Sequence, residues 1–246
     1  MQTDKIFGIN PVLEALRAGR PIQRLLVAEQ RKRDHDLARI LVLARDAGVE
    51  IRQVSREALN REAHNTSHQG IVAVVAARKY VSLDEVLALP ASKGQVPLFV
   101  VLDGVEDPRN LGAILRTAET AGVHGVIIPE RRATGLTETV AKASAGALEY
   151  VPVVKVVNIV KALEDLKKAG IWVFGAEAGK GTVYWKADFS GPVALVLGGE
   201  GRGVRRLVAE RCDSLVAIPL CGQISSLNVS VAAGVLLYEV LRQRAE

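Results

Sequence analysis

Apolar residues in the first third of the chain switch repeatedly between helical and strand spacing. Asn10-Pro11 reads as an N-cap followed by proline at the first helical position, predicting a helix over 12–17 that stops at Gly19. Residues 22–27 suit a strand. Leu37, Ile40, Leu41 and Ala44 then recur at helical spacing within 34–47, up to Gly48. A strand at 49–54, a short helix near 56–62, a polar loop at 64–69 and a strand at 70–76 follow. Residues 78–96 hold one short apolar helix between polar, proline and glycine residues, and read as a linker.

The second segment alternates again. Strands are expected at 97–102, 124–128, 150–156, 171–176, 193–197 and 215–219, with helices at 110–121, 157–169, 203–211 and 226–243. That order predicts an α/β fold with a mostly parallel sheet covered on both faces. The last helix is apolar almost all round, through Val229, Val231, Ala232, Val235, Leu236, Leu237, Val240 and Leu241. Such a helix packs on several sides, against its own sheet or a second subunit. The expected division is a small domain at 1–77, a linker at 78–96 and a larger domain at 97–246.

Composition narrows the class. Aromatic residues make up only 4% of the chain although 49% is hydrophobic, so the core is aliphatic. No stretch has the length of a bilayer span, and MQTDKIFGINP lacks the regions of a signal peptide. Cys212 and Cys221 form no CxxC pair, which argues for a reducing cytoplasm and against a disulfide scaffold or a cysteine zinc site. Residues 1–79 carry 14 lysines and arginines against 9 acidic residues, whereas the remainder balances at 18 of each. The excess of +5 therefore lies wholly in the first third, as expected if that part meets a polyanion. A solubilising surface is the plainer explanation. Within this region Arg31, Lys32 and Arg33 are candidate phosphate contacts or an ordinary solvated turn. His64 and His68 have a metal-pair spacing but sit in a loop without a third ligand, so an RNA contact, for which His68 is the candidate, or a simple surface pair suits them better than a metal.

Three loops after strands of the second segment carry the candidate chemistry, since ligands of open α/β sheets bind outside the carboxyl ends of strands. The first is LDGVEDPRNLGAILRTA (102–118). If Asn110 caps its helix, Arg116 emerges about one and a half turns later and need not share its face. Spacing alone favours a cap and a surface arginine. The second, LVLGGEGRGV (195–204), has four glycines in six positions around Glu200. Its order differs from the dinucleotide fingerprint and no acidic residue follows about twenty positions on, which disfavours a nicotinamide enzyme. The third, IPLCGQISSLNVS (218–230), runs into the last helix, with Ser226 placed to cap it. No histidine or aspartate is near these serines in sequence, so a hydrolase nucleophile has little support.

Together these loops resemble the three ordered motifs of the SpoU (TrmH-like) branch of the SPOUT RNA methyltransferases, and the likeness covers nearly the whole chain. Asn110 and Arg116 stand at the marked positions of the first motif, Glu200 of the second, and Ser226 and Asn228 of the third. KASAGALEYVP (142–152) is similar to a segment linking them. FGINPVLEA (7–15) and HQGI (68–71) resemble the small substrate-binding domain of bacterial 23S rRNA guanosine 2′-O-methyltransferases, similar to a ribosomal-protein fold.

The resemblance implies S-adenosylmethionine as cofactor, a ribose 2′-hydroxyl as acceptor, a trefoil-knotted catalytic domain and a homodimer formed through it. It implies that backbone around Gly198, Gly199, Ile218 and Leu227 holds the cofactor, with glycine admitting close approach. By the same analogy Arg116 activates the 2′-hydroxyl. A guanidinium hardly deprotonates, so orienting a phosphate and stabilising the developing alkoxide suits it better. Asn110, Ser226 and Asn228 would then position the ribose, and Glu200 would hold Arg116 or a nearby loop. A tRNA substrate is the alternative within the family, and a non-catalytic RNA-binding protein the alternative outside it.

Overall fold

A computed structural model describes residues 3–29, 31, 34–63, 68–201 and 203–245. Their contacts divide into two units. One joins the chain up to Lys79 with Leu136–Tyr150, and the other joins Tyr80–Gly135 with the chain from Val151 onward.

Period-two alternation builds the first unit. Its strands are β1 (Thr3–Phe7), β2 (Ile22–Ala28), β3 (Glu50–Val54) and β4 (Ile71–Ala76), in the order β1-β4-β2-β3. β4 is antiparallel to both neighbours and β2 is parallel to β3. Leu25, Val27, Ile71, Ala73 and Val75 face one side, packed with α1 (Ile9–Arg17) and α2 (His35–Asp46). Leu26, Ala28 and Val72 face the other, against Leu59 and Ala63 of α3 (Arg56–Ala63). Sequence reasoning missed β1, because three polar residues open its five. It also placed the start of α1 too late. Gly8, with φ 90°, is the N-cap, and no side chain caps this helix. Only a residue free of a Cβ turns the chain so readily from β1 into α1.

The second unit opens with α4 (Leu83–Lys93), fixed by a Ser82–Glu85 capping box and ended by Gly94 in the left-handed conformation. Val86 is buried among Phe99, Ile127 and Val154, and Val81 bridges Val154. The helix within the span read as a linker therefore belongs to this unit, with Val86 in its core and Leu83, Leu87 and Leu89 packed against it, which its polar flanks conceal.

The sheet consists of β5 (Leu98–Asp103), β6 (Gly125–Pro129), β7 (Val153–Val156), β8 (Trp172–Ala176), β9 (Thr182–Val183), β10 (Val193–Gly198) and β11 (Ser214–Ala217). Every pairing is parallel, in the order β7-β6-β5-β10-β8-β11-β9. Central strands buried on both faces read as unbroken apolar runs, as β5 and β10 do. Helix α5 (Pro108–Thr120) follows β5. Leu163 and Leu166 of α7 (Ile159–Lys168) and Val208 of α8 (Arg206–Ala209) pack on one face with Phe99, Val101 and Val196. The last helix, α9 (Val229–Arg244), packs on α5 and touches β10. It is not buried all round: Ala233, Leu236, Leu237 and Val240 are buried, whereas Val231 and Tyr238 are exposed. No helix among the described residues is long and apolar enough to cross a membrane.

The segment 136–150, expected within the larger domain, belongs to the first unit. It contains α6 (Glu138–Ala143) and a short turn that buries Ala147 and Leu148. Glu149 draws it in, accepting from Arg20 at 2.9 Å and pairing with Arg78 at 2.6 Å. Arg20 also donates to the Ala76 carbonyl, and the Tyr150 hydroxyl to Glu14. Charge pairing across so many residues of chain cannot be read from local spacing.

The Glu149 side chain is only 7% exposed and the two arginines are nearly as covered. Replacing Glu149 by alanine leaves both cations without their counter-charge, and is expected to destabilise this unit by about 3 kcal/mol or more. Urea unfolding monitored in the first unit measures it, and an unchanged midpoint would show the triad to be energetically idle.

Candidate active site

The site begins where two adjacent strands end together. Gly198, the last residue of β10, lies in register with Asp103, the last of β5. The loops that follow them leave the sheet side by side. Asp103 is buried and ties the two together, accepting from the Arg205 backbone N–H at 2.9 Å and from Arg205 Nε at 2.7 Å. Hydrogen bonding to this carboxylate raises the Arg205 guanidinium above its ordinary pKa. The Gly199 N–H donates to the Asp103 carbonyl, and the Gly199 carbonyl accepts from Gly203.

Glycine at 198 and 199 answers to the protein's own backbone. A Cβ on Gly198 would overlap the Gly203 peptide, and one on Gly199 would overlap the Gly104 carbonyl. Beside the expected close approach of a ligand, glycine here has a second reason: it lets two loops close on each other.

Three side chains, one from each motif loop, meet beyond that turn. Asn228 caps α9 by accepting from the Ser230 N–H at 2.9 Å, which fixes the orientation of its amide. Its Nδ2 must therefore donate, to Asn110 Oδ1 at 3.0 Å and to Glu200 Oε1 at 3.2 Å. Asn110 Oδ1 being occupied, Asn110 Nδ2 donates to Glu200 Oε1 at 2.8 Å. The buried Asn110 is thus fully oriented by a chain of bonds that begins at a backbone amide.

Two capping assignments change. Asp107 caps α5, accepting from the Arg109 N–H with Pro108 at the first helical position, so Asn110 lies inside the first turn. Ser226 does not cap α9; Asn228 does. In each case the true cap is the residue whose backbone stays extended just before the helix, a distinction of two or three residues that residue type leaves open.

Two cavities flank this network. One of about 470 Å³ is lined by Gly198, Gly199, Ile218, Leu227 and Ser226, with Glu177, Leu197 and Leu220. The four residues expected to hold a cofactor thus come together. The other, of about 510 Å³, is lined by Asn110, Gly104, Glu106, Arg131, Arg132 and Arg205. Glu200, Gly199, Gly203 and Val229 line both, so Glu200 stands at their shared wall.

Arg116 is not among these linings. It is exposed on α5, about 240° around the helix from Asn110, as a six-residue separation dictates. Of the two partners expected for Glu200, Arg116 or a nearby loop, its bonds go to the neighbouring motif loops, at Asn110 and Asn228.

The amino-terminal candidates fare differently. His68 is buried, its Nδ1 accepting from the Gly70 N–H and its Nε2 facing Asn60 Oδ1 at 2.8 Å. Both ring nitrogens are engaged, and burial, helped by Arg56, lowers its pKa so that it stays neutral. An RNA contact through this ring is therefore not what its position provides. Arg31 lies half-buried over Gly70 and pairs with Asp34 at 2.9 Å. Lys32, Arg33 and His64 lie outside the described residues. Sequence reasoning overlooked Asp103, Arg205, Arg131 and Arg132. The adjacent arginines directly after an apolar strand were the available signal, whereas the Asp103–Arg205 pair depends on which strands are neighbours.

Residues 97–238 match the SpoU rRNA Methylase family, and residues 5–81 match the domain described as RNA 2′-O ribose methyltransferase substrate binding. The chain belongs to the SpoU family of S-adenosylmethionine-dependent RNA 2′-O-ribose methyltransferases. It is 45% identical to the putative TrmH family tRNA/rRNA methyltransferase YacO of Bacillus subtilis, over 99% of this chain and 97% of the relative. It is similar to the AdoMet complex of the SpoU methyltransferase AviRb from Streptomyces viridochromogenes, with a TM-score of 0.82, 27% identity and coverage of 99% and 91%. The AdoMet-bound rRNA methyltransferase from Sinorhizobium meliloti matches with a TM-score of 0.78, 25% identity and coverage of 98% and 87%.

The glycine loop separates two kinds of requirement. Gly199→Ala drives a methyl into the Gly104 carbonyl and is expected to abolish cofactor binding and destabilise the second unit. Gly201→Ala meets nothing within 4 Å and has only its φ of 77° to contend with, so a loss of about 1 kcal/mol is expected. Calorimetric titration of S-adenosylmethionine with thermal unfolding of both variants tests this; equal effects would contradict it.

Proposed function

We propose that this chain methylates the ribose 2′-hydroxyl of a guanosine in 23S rRNA, in the cytoplasm, as a homodimer. The observation that carries the reading is the pair of cavities meeting at Glu200, one suited to the cofactor and the other open to a nucleotide.

The cavity of about 470 Å³ is of the usual size for a small-molecule site, roughly 300–1,000 Å³. Leu197, Ile218, Leu220 and Leu227 offer apolar surface for a purine ring, Ser225 and Ser226 offer hydroxyls, and Glu177 and Glu200 complement a cation. Bound S-adenosylmethionine supplies an electrophilic methyl on its sulfonium. The chain's own residues align the acceptor. Asn110 and Asn228 lock Glu200 at the shared wall and border the path of the ribose, and Ser226 adds a hydroxyl donor. Arg116 orients the phosphate of the target nucleotide and stabilises charge developing on the 2′-oxygen. Positioning of this kind supplies several kcal/mol of the barrier.

A ribosomal substrate is preferred over tRNA on the match of residues 5–81 to the substrate-binding domain, together with the likeness to an rRNA methyltransferase over 98% of this chain. The out-of-order return of β10 and β11 to the sheet supports a trefoil path, in which the carboxyl-terminal segment threads a preceding loop. The dimer reading rests on Val231 and Tyr238, exposed apolar residues on one side of α9. Tyr238 reaches Thr120 of α5, and Thr120 lies one turn beyond Arg116. Association through this side would also determine what Arg116 meets.

Arg116→Ala is expected to leave folding and cofactor affinity nearly intact while slowing the chemical step about a hundredfold or more. Arg116→Lys keeps the charge without the planar fork and is expected to rescue little. Single-turnover methyl transfer at saturating RNA and cofactor separates these effects from weak binding, and a near-normal rate for the alanine variant would reject the assigned role.

The unmodified protein is expected to be a dimer in light scattering at micromolar concentration, with an interface upwards of about 1,000 Å². Val231→Glu places a charge on the proposed interface and is expected to give monomers with impaired cofactor binding. A monomeric unmodified protein would overturn the dimer.

A further inference from the structure

We propose that Arg131, Arg132 and Arg205 form a binding site for a backbone phosphate of the RNA, next to the nucleotide that enters the larger cavity. The proposal rests on the RNA methyltransferase reading and adds where the substrate's backbone is held.

A third cavity, of about 330 Å³, is lined by these three arginines together with Pro129 and Asn158 among others. The arginines and Pro129 also line the larger cavity, so the two spaces are contiguous. Their electrostatic character differs. The larger cavity has four carboxylates in its wall, Asp103, Glu106, Asp107 and Glu200, whereas the smaller has none. Asp103 is already committed to Arg205, with Nε at 2.7 Å and Nη2 at 2.5 Å. That pairing holds the guanidinium in one plane and leaves Nη1 without a bond among the described residues. Arg131 and Arg132 are exposed and take part in no ion pair among the described residues.

The turn that presents them is held in an unusual shape. Arg132 has φ 60°, a conformation that side-chain-bearing residues seldom adopt and that persists only where the surroundings impose it. The Thr134 N–H donates to the Val105 carbonyl at 3.2 Å, so this turn is fastened to the first motif loop, directly beside Asn110's helix. The start of α7, capped by Asn158, adds the positive end of a helix dipole to the same space. Three guanidinium groups around a carboxylate-free pocket suit a phosphate, whose oxygens match the arginine fork. RNA supplies phosphates at every nucleotide. The cofactor's own carboxylate is the other possible anion, and its binding can be measured separately.

The test uses the full-length protein carrying Arg131→Ala with Arg132→Ala, leaving Arg205 to hold Asp103. Arg206→Ala, an exposed arginine lining none of these cavities, is the control. The probes are an unmodified 23S rRNA transcript, across a salt series, and S-adenosylmethionine alone. Affinity of the double variant for the transcript is expected to fall about tenfold or more. The log–log salt slope should shrink by roughly 1.4–1.8, the loss of two phosphate contacts. Cofactor affinity should stay within about twofold, and the control should match the unmodified protein. An unchanged slope overturns the phosphate site, and so does a fall in cofactor affinity with RNA affinity preserved, which would assign the arginines to the cofactor's carboxylate. Failure of the unmodified protein to methylate any RNA while still binding the transcript would overturn the methyltransferase reading alone, since the slope still decides the arginines. Failure to bind the transcript at all overturns both.

Discussion

The active end of this protein depends on one buried carboxylate. Asp103 sits where β5 and β10 finish side by side, and its two oxygens hold the backbone and side chain of Arg205 while its carbonyl holds Gly199. A buried charge is tolerable only when paired and hydrogen-bonded, and here the pairing also draws two sequence-distant loops into contact. Gly198 and Gly199 follow from that contact, since any side chain there would occupy space already filled by backbone. The glycine loop is the steric consequence of the two strands being neighbours.

What stands on this platform is polar but ordered. Each amide of Asn110 and Asn228 has a determined orientation, because the series of bonds starts from the Ser230 N–H. Glu200 Oε1 receives two amide donors, so the carboxylate is fixed between the two cavities without an ion pair to neutralise it among the described residues. A negative group held in place by neutral donors keeps its charge available to a cationic ligand on one side. Arg131, Arg132 and Arg205 line the larger cavity and the smaller one beside it, and none of them lines the cavity of about 470 Å³.

The first unit is governed by different physics. Its sheet sorts aliphatic side chains to two faces by simple alternation, and then uses Glu149 from a distant part of the chain to neutralise Arg20 and Arg78. Part of the positive charge counted in this region is therefore spent internally, as is that of Arg31 on Asp34.

Much of the protein was legible in its residues. Aliphatic runs at strand length and apolar positions at helical spacing located β2, β4, β5, β10, α2, α5 and α7, because those signals are local and covalent geometry enforces them. The motif residues Asn110, Glu200 and Asn228 and the pocket residues Gly198, Ile218 and Leu227 were singled out through the resemblance of the loops to the SpoU motifs, since spacing alone made Asn110 a cap and was silent on the pocket. Partnership was not legible. That Asn110 bonds Glu200 rather than capping its helix and that Asp103 meets Arg205 both follow from strand order, which places residues about a hundred positions apart within 3 Å. The same holds for the segment around Glu149 and for Val86, whose surroundings exist only once the sheet has formed. Sequence fixes which short elements can exist, since each is decided by neighbours along the chain. Only the tertiary structure decides which charges and amides meet, since that depends on which strands lie adjacent.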